Sequence, residues 1–190
     1  MEQRSLARFG NVAQTFHWLT AILVLLAFIF GPEGSEQRVY LPIHDFERQL
    51  HETLGLCVLA LAVLRLLWRT LDTRPEPEPL ARWMALASKA VQVALYGLLF
   101  AVPLTAITGA WLEGHPLTLL GGLQIASLIG PSHATGVTIA EIHAWLGDAI
   151  LWLAGLHAAA AIYHHLVLKD GVLVSMLPRW VPLGKPTATR

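Results

Sequence analysis

Nine histidines in a chain of 190 residues that is 55% hydrophobic and only 14% charged demand a chemical reason. Four of them, His17, His51, His143 and His157, fall inside or at the mouths of long apolar blocks. A lone imidazole in hydrocarbon is costly, so at that depth it either bonds between helices or binds something. Spacing separates the two readings. His143 and His157 stand fourteen residues apart, nearly four whole helical turns, so both rings leave one helix face about 21 Å apart along the axis. That suits two ligand positions, one near each surface of a membrane. Zinc fits them poorly, because its sites group their ligands closely, often with cysteine or carboxylate, and no H-E-x-x-H is present. The adjacent pair His164-His165 diverges by about 100° on a helix.

Such histidines need helices that cross a bilayer. Apolar residues here come in long blocks rather than an amphipathic stripe, the mark of helices solvated by lipid. Spans are expected at residues 13–31, 51–68, 89–112 and 142–168, each near the roughly 20 residues that cross a bilayer core. Gly31-Pro32 stops the first, and Arg69 with the Pro/Glu/Arg run 74–79 closes the second. Pro103 is a kink in the third, and Lys169-Asp170-Gly171 ends the fourth. Residues 116–130 are apolar but too few to span, and they carry Gly121-Gly122, so a surface-lying or re-entrant connection is expected. Arg4 and Arg8 before the first block imitate a signal peptide, but no small-residue cleavage site follows, and the block reads as a retained span.

The expected fold is therefore all-α: one integral membrane four-helix bundle over residues 1–190, up-down-up-down, with a loose cytoplasmic tail at 178–190. An even number of spans puts both termini on one side. Arg4, Arg8, Arg65, Arg69, Arg74, Arg82, Lys89, Lys169, Arg179, Lys185 and Arg190 share that side, against only Arg38 and Arg48 on the other. The positive-inside rule then makes the termini cytoplasmic. Depth pairs the histidines: the first span enters from the cytoplasm, placing His17 low, and the second enters from outside, placing His51 high. The fourth puts His143 high and His157 low. His17 matches His157, and His51 matches His143. Two bis-histidine sites stacked across a membrane suit two haem b groups, whose irons accept axial imidazoles while the porphyrins pack between helices.

Smaller features agree or have plain explanations. His51 and His143 are each followed four residues on by glycine, Gly55 and Gly147, which leaves room for a flat macrocycle against the backbone. His44, seven residues before His51, competes with it as ligand, and His51 is preferred for its depth and its glycine. Cys57 reads as a small buried apolar residue. Trp18, Trp68, Trp83, Trp111 and Trp180 near span ends read as an interfacial belt, while Trp145 and Trp152 flank porphyrin or lipid. No phosphate-cradling, dinucleotide or nucleophile–base motif appears, and nothing points to nucleic acid.

Phe16-His17-Trp18-Leu19, His51 with Arg65 and Arg69, His143, and the block from Gly155 through His157 to His164-His165, followed by Lys169-Asp170, give the chain a likeness. From about Val12 to Trp180 it resembles the bacterial cytochrome b561 family, and within it the short di-haem members of superoxide oxidase type. The resemblance implies His17, His51, His143 and His157 as haem ligands in a multi-pass protein of the bacterial inner membrane. It also implies a superoxide:ubiquinone oxidoreductase, which oxidises superoxide to oxygen outside and reduces ubiquinone. Arg65, His164 and Lys169 are then candidates for quinone or propionate contacts.

Charge pulls against the anionic substrate. The outer connections carry Glu33, Glu36, Asp45, Glu47, Glu52, Glu113 and Glu141 against Arg38 and Arg48. An alternative follows: a cytochrome b subunit relaying electrons between the quinone pool and a soluble dehydrogenase or hydrogenase docked on the connection 113–141.

Overall fold

The computed structural model describes residues 8–32, 36–72, 80–178 and 180–181, and the side chains of Glu36 and Gln37 are outside that description. Four helices are long and apolar enough to cross a membrane. They are α1 (Asn11–Ile29), α3 (Asp45–Leu71), α4 (Arg82–Glu113) and α5 (His133–Tyr163), the last continued by a π turn at His164–Leu168. Short helices α2 (Glu36–Val39) and α6 (Val172–Met176) and a 3-10 turn at Pro42–His44 complete the helical set of the described residues. Three of the long helices start well before the expected spans, α5 by nine residues. Loss of hydropathy marks where lipid ends, whereas backbone hydrogen bonds carry a helix on into the interface.

The bundle is built from two close pairs, α4 with α5 and α1 with α3. Glycine explains the first pair. A Cβ on Gly136 would stand 2.7 Å from Glu113 Cγ and 2.8 Å from its backbone nitrogen, and one on Gly109 would stand 3.3 Å from the nitrogen of Ala140. Small residues thus let the two backbones touch, which is how helices associate where lipid already satisfies apolar surface. Between the pairs α3 packs against α4, whereas α1 barely meets α5. The buried core is correspondingly small and sits at mid-height, with Val58 and Ala62 of α3, Leu99 of α4 and Ile150 of α5, flanked by Leu23 and Val24 of α1. Most large apolar residues face outward, Ile22, Leu25, Leu66 and Leu67 among them, as lipid requires.

Both ends of the described chain lie at one end of the bundle. The nitrogen of Phe9 donates to Ser175 O, Gln14 Nε2 to the same oxygen at 3.2 Å, and Trp18 Nε1 to Met176 O at 2.9 Å. Residues 116–130 form a small antiparallel hairpin, Leu117–Thr118 pairing with Gln124–Ile125. Its turn uses Gly121 and Gly122 at φ of 87° and 82°, which glycine reaches without steric cost. The hairpin is fastened to the N-terminal half of α3: Glu52 accepts the N–H of Thr118, and Thr53 Oγ1 accepts that of Leu120 at 2.9 Å.

One expectation needs correcting. Cys57 is exposed, not buried, because on a lipid-facing helix surface an apolar thiol is at home outside. The Nε1 atoms of Trp68 and Trp111 are buried without a hydrogen-bond partner among the described residues, while Trp83 and Trp180 are exposed. Trp145 and Trp152 are 77% and 76% exposed and face lipid. Arg4, Glu33, Arg74, Arg179, Lys185, Arg190 and most of the tail lie outside the described residues.

Candidate haem-binding site

Three helices repeat at sevens. On α1 the stripe is His17 and Val24, with Gly31 just past the helix end; on α3, His51, Val58, Arg65; on α5, His143, Ile150, His157. Seven residues make almost two turns, about 10.5 Å, so each stripe stays on one face. The helix directions stack them into layers: Gly31, His51 and His143 at one end, Val24, Val58 and Ile150 in the middle, His17, Arg65 and His157 at the other. Contacts agree with the layering. The His51 and His143 rings face each other with centroids 6.0 Å apart, and those of His17 and His157 are 6.3 Å apart. A Cβ on Gly31 would lie 3.6 Å from His51 Cε1.

The pairs are edge-on, at 81° and 70°, and their separations also fall within the roughly 4.5–7 Å of ordinary edge-to-face ring contacts. A metal–imidazole bond of about 2.0 Å plus about 1.1 Å from nitrogen to ring centre, taken twice, gives about 6.2 Å for two rings on one iron. Stacked rings in van der Waals contact would be much closer. Among the described residues no group of three or more His, Cys, Asp or Glu side chains is placed to hold a metal ion, so a zinc-type cluster has no counterpart here.

The His51–His143 pair is oriented by backbone. His51 Nδ1 lies 2.7 Å from Ala27 O and His143 Nδ1 lies 2.9 Å from Val102 O. A carbonyl only accepts, so Nδ1 carries the proton and Nε2 keeps its lone pair for a metal. Thr105 Oγ1 also donates to Val102 O at 2.8 Å, and Pro103 within α4 lacks the N–H that would reach Leu99 O. Between the rings opens a cavity of about 900 Å³, within the range of cofactor sites, lined among others by Gly55, Gly147, Pro103 and Ile150. A Cβ on Gly55 or Gly147 would meet no protein atom within 4 Å. The residues present fit a flat macrocycle, which His51 and His143 would hold through their Nε2 atoms.

The His17–His157 pair differs. Arg65 Nη2 lies 3.4 Å from His17 Nδ1, and the Arg65 and Arg69 guanidinium carbons stand 5.3 Å and 5.4 Å from the ring centre of Tyr96. Two cations at this depth suit anionic groups such as propionates. His164 Nδ1 is 2.5 Å from Asp170 Oδ2, and Lys169 is exposed beside it. His44, by contrast, lies in a turn with its Nδ1 3.4 Å from Glu47 Oε2, away from His143's partner position.

The sequence profile of the prokaryotic cytochrome b561 family matches residues 8–179. The chain belongs to that family. It is 30% identical to cytochrome b561 homolog 2 of Escherichia coli (strain K12) over 171 residues, covering 90% of this chain and 91% of that one. Identity to the probable superoxide oxidase CybB of Yersinia pestis is 30% over 168 residues, covering 86% and 92%. Cytochrome b562 of Cereibacter sphaeroides is 33% identical over 173 residues, covering 86% and 90%. Membership makes this cytochrome b561 relative an electron-transfer protein of the bacterial inner membrane and implies haem b.

Sequence reasoning missed several members of the site. Asp148, an acid within an apolar helix, lines the outer cavity, and its position alone was the available signal. The carbonyls of Ala27 and Val102, Tyr96 and Asp170 left no such signal, because each depends on which helix faces meet.

Proposed function

We propose that this cytochrome b561 family member carries two haem b groups, oxidises superoxide to oxygen at the outer end and reduces ubiquinone, with both termini cytoplasmic. The observation that carries it is the pair of facing imidazole sets, 6.0 Å and 6.3 Å between centroids, at opposite ends of one bundle. His51 with His143 and His17 with His157 are the axial pairs. Bound haem supplies one-electron transfer between these two levels. The chain's own residues do the rest. Ala27 O and Val102 O hold the outer imidazoles in their ligating tautomer. Arg65 and Arg69 hold anionic groups at the inner level, and ubiquinone is the electron acceptor, with His164 and Lys169 at its pocket. Both termini go to the cytoplasm because Arg8, Arg65, Arg69, Arg82, Lys89 and Lys169 lie toward that end while Arg38 and Arg48 lie toward the other.

A second reading is favoured by one feature. Glu52, Glu113, Glu141 and Asp148 line the outer cavity with Arg48 and His133 as basic company. Glu52 and Asp45 already engage Arg48 at 3.0 Å and 2.7 Å. An acidic mouth repels an anion and suits a soluble redox partner with a basic face. The deciding experiment mixes oxidised, haem-loaded protein with superoxide anaerobically and follows haem absorbance with and without ubiquinone. Fast reduction reversed by quinone supports the oxidase. Haems that dithionite reduces and superoxide does not would transfer the case to the partner-fed subunit.

A further inference from the structure

We propose that His164 and Asp170 form the proton-delivery pair for quinone reduction, with His164 Nε2 the atom that hands over the proton and Asp170 its positioning residue. The proposal rests on the quinone-reducing reading above.

The backbone is arranged to make this pair. On a continuous α-helix, a residue six further on lies about 9 Å along the axis and about 120° away around it. Here the helix widens into the π turn at His164–Leu168, and Lys169 then takes a left-handed conformation at φ 55°, the one non-glycine residue with positive φ among those described. Left-handed backbone is unfavourable for lysine, and π turns recur at functional sites. The result folds Asp170 back under His164, its N–H reaching His164 O at 3.3 Å. His164 Nδ1 then donates to Asp170 Oδ2 at 2.5 Å, while Asp170 Oδ1 accepts the N–H of Val172 at 3.1 Å.

Both carboxylate oxygens are thus fixed, and the two side chains are only 16% and 18% exposed. With Nδ1 committed to Asp170, Nε2 is the nitrogen left to exchange a proton. This is the oriented-imidazole logic of general acid–base catalysis. His164 also lies seven residues beyond His157 on the same stripe, about 10.5 Å further toward the terminal end of the bundle. A proton donor there stands next to where electrons leave the inner level. Its surroundings leave it that role. His165 has its Nδ1 buried without a hydrogen-bond partner among the described residues, Tyr163 meets the His164 ring edge-on at 6.5 Å, and Lys169 is exposed. Helix α6 contributes no titratable side chain, and Gln14 and Trp18 of α1 bond its backbone.

The balance is simple. Two superoxide ions each lose one electron and leave as oxygen; one quinone gains the two electrons and two protons and becomes the quinol. Each proton passes from His164 Nε2–H to a quinone oxygen, and the imidazole is reprotonated from water at that face.

The competing explanation is that Asp170 merely clasps the turn and caps α6. Asparagine at 170 keeps an oxygen for the Val172 N–H and loses the charge. Full-length, haem-loaded protein in lipid nanodiscs is reduced anaerobically with dithionite, freed of excess, and mixed with short-chain ubiquinone or with ferricyanide, which takes an electron and no proton. Asp170→Asn and His164→Gln are expected to slow reoxidation at saturating quinone by on the order of a hundredfold, with ferricyanide rates unchanged. Equal slowing with both acceptors, a raised KM with full maximal rate, or no slowing overturns the pair. Should Asp170→Asn lose its haem spectrum, His164→Gln alone decides by the same criteria. Wild-type haem that quinone does not reoxidise overturns the quinone reading together with the pair, whereas normal wild-type reoxidation matched by both variants overturns the pair alone.

Discussion

Replacing Gly147 by leucine separates a cofactor seat from a merely small packing residue. Gly147 lies one turn below His143, and a Cβ there meets no protein atom within 4 Å, only the cavity. In the haem-free chain the leucine is therefore expected to be tolerated, and relief of glycine's entropy cost adds roughly 0.5–1 kcal/mol to helix stability. In the loaded protein the same side chain occupies the slot that a macrocycle must share with the backbone at van der Waals distance. Overpacking of that kind costs about 1–3 kcal/mol, and at about 1.4 kcal/mol per tenfold outer-site haem affinity falls by roughly five- to 150-fold. The assay is haem per chain by pyridine haemochrome after dialysis at limiting haem, alongside thermal unfolding of the haem-free form. Haem content is expected to fall from two toward one per chain with unfolding temperature kept or raised. Two haems retained at wild-type affinity, or a destabilised haem-free chain, would refute the reasoning. Gly136→Leu is the opposite control: its side chain meets the Glu113 backbone at 2.8 Å, so α4 and α5 must separate and stability falls in both forms.

His51→Ala is expected to remove one haem and His44→Ala neither, read from reduced-minus-oxidised spectra per chain. Both haems surviving in His51→Ala would reassign the outer ligand. Glu52→Ala strands the Thr118 N–H and an Arg48 bond, at a cost of about 1–3 kcal/mol, and hydrogen exchange at residues 117–125 is expected to speed up while the inner haem spectrum stays unchanged. Arg65→Gln removes a cation 3.4 Å from His17 Nδ1 and is expected to lower the inner haem's midpoint potential by on the order of tens of millivolts, measured by redox titration.

Transmembrane helices made much of this legible. They are long and nearly straight, so sequence position converts to depth at a fixed rise, and the chain's back-and-forth path sets which residues share a level. That conversion brought His17 to the level of His157 and His51 to that of His143 before any contact was known. It gave no information about rotation. Cys57 on the lipid side and the inward Nε1 atoms of Trp68 and Trp111 depend on which face of a helix meets its neighbours. The hairpin at Leu117–Ile125 is too short for a periodic signal, and its anchor, Glu52, resembled an ordinary loop acid. The His164–Asp170 contact needs a π turn and a left-handed lysine, neither of which residue preference foretells.

The seven-residue stripes make one argument of fold and function. A stripe that mixes histidine with valine or isoleucine at fixed intervals fixes chemistry and insulation together. Val24, Val58 and Ile150 share the level midway between the imidazole pairs, and with Leu99 and Ala62, the latter 0% exposed, they form the only buried apolar cluster among the described residues. The bundle packs its buried apolar side chains there, while histidines face each other at the levels on either side, His51 of α3 with His143 of α5 and His17 of α1 with His157 of α5. A dry plug of this kind stops water and ions, which would otherwise follow polar side chains through the bundle. Electrons need no such path, since they tunnel between redox centres. Charge can therefore cross as electrons while protons are taken up separately at the terminal end, where His164 continues the same stripe. Widening the plug by Ile150→Ala is expected to leave both imidazole pairs in place, whereas a polar residue at that level would open the one region that keeps proton and electron routes apart.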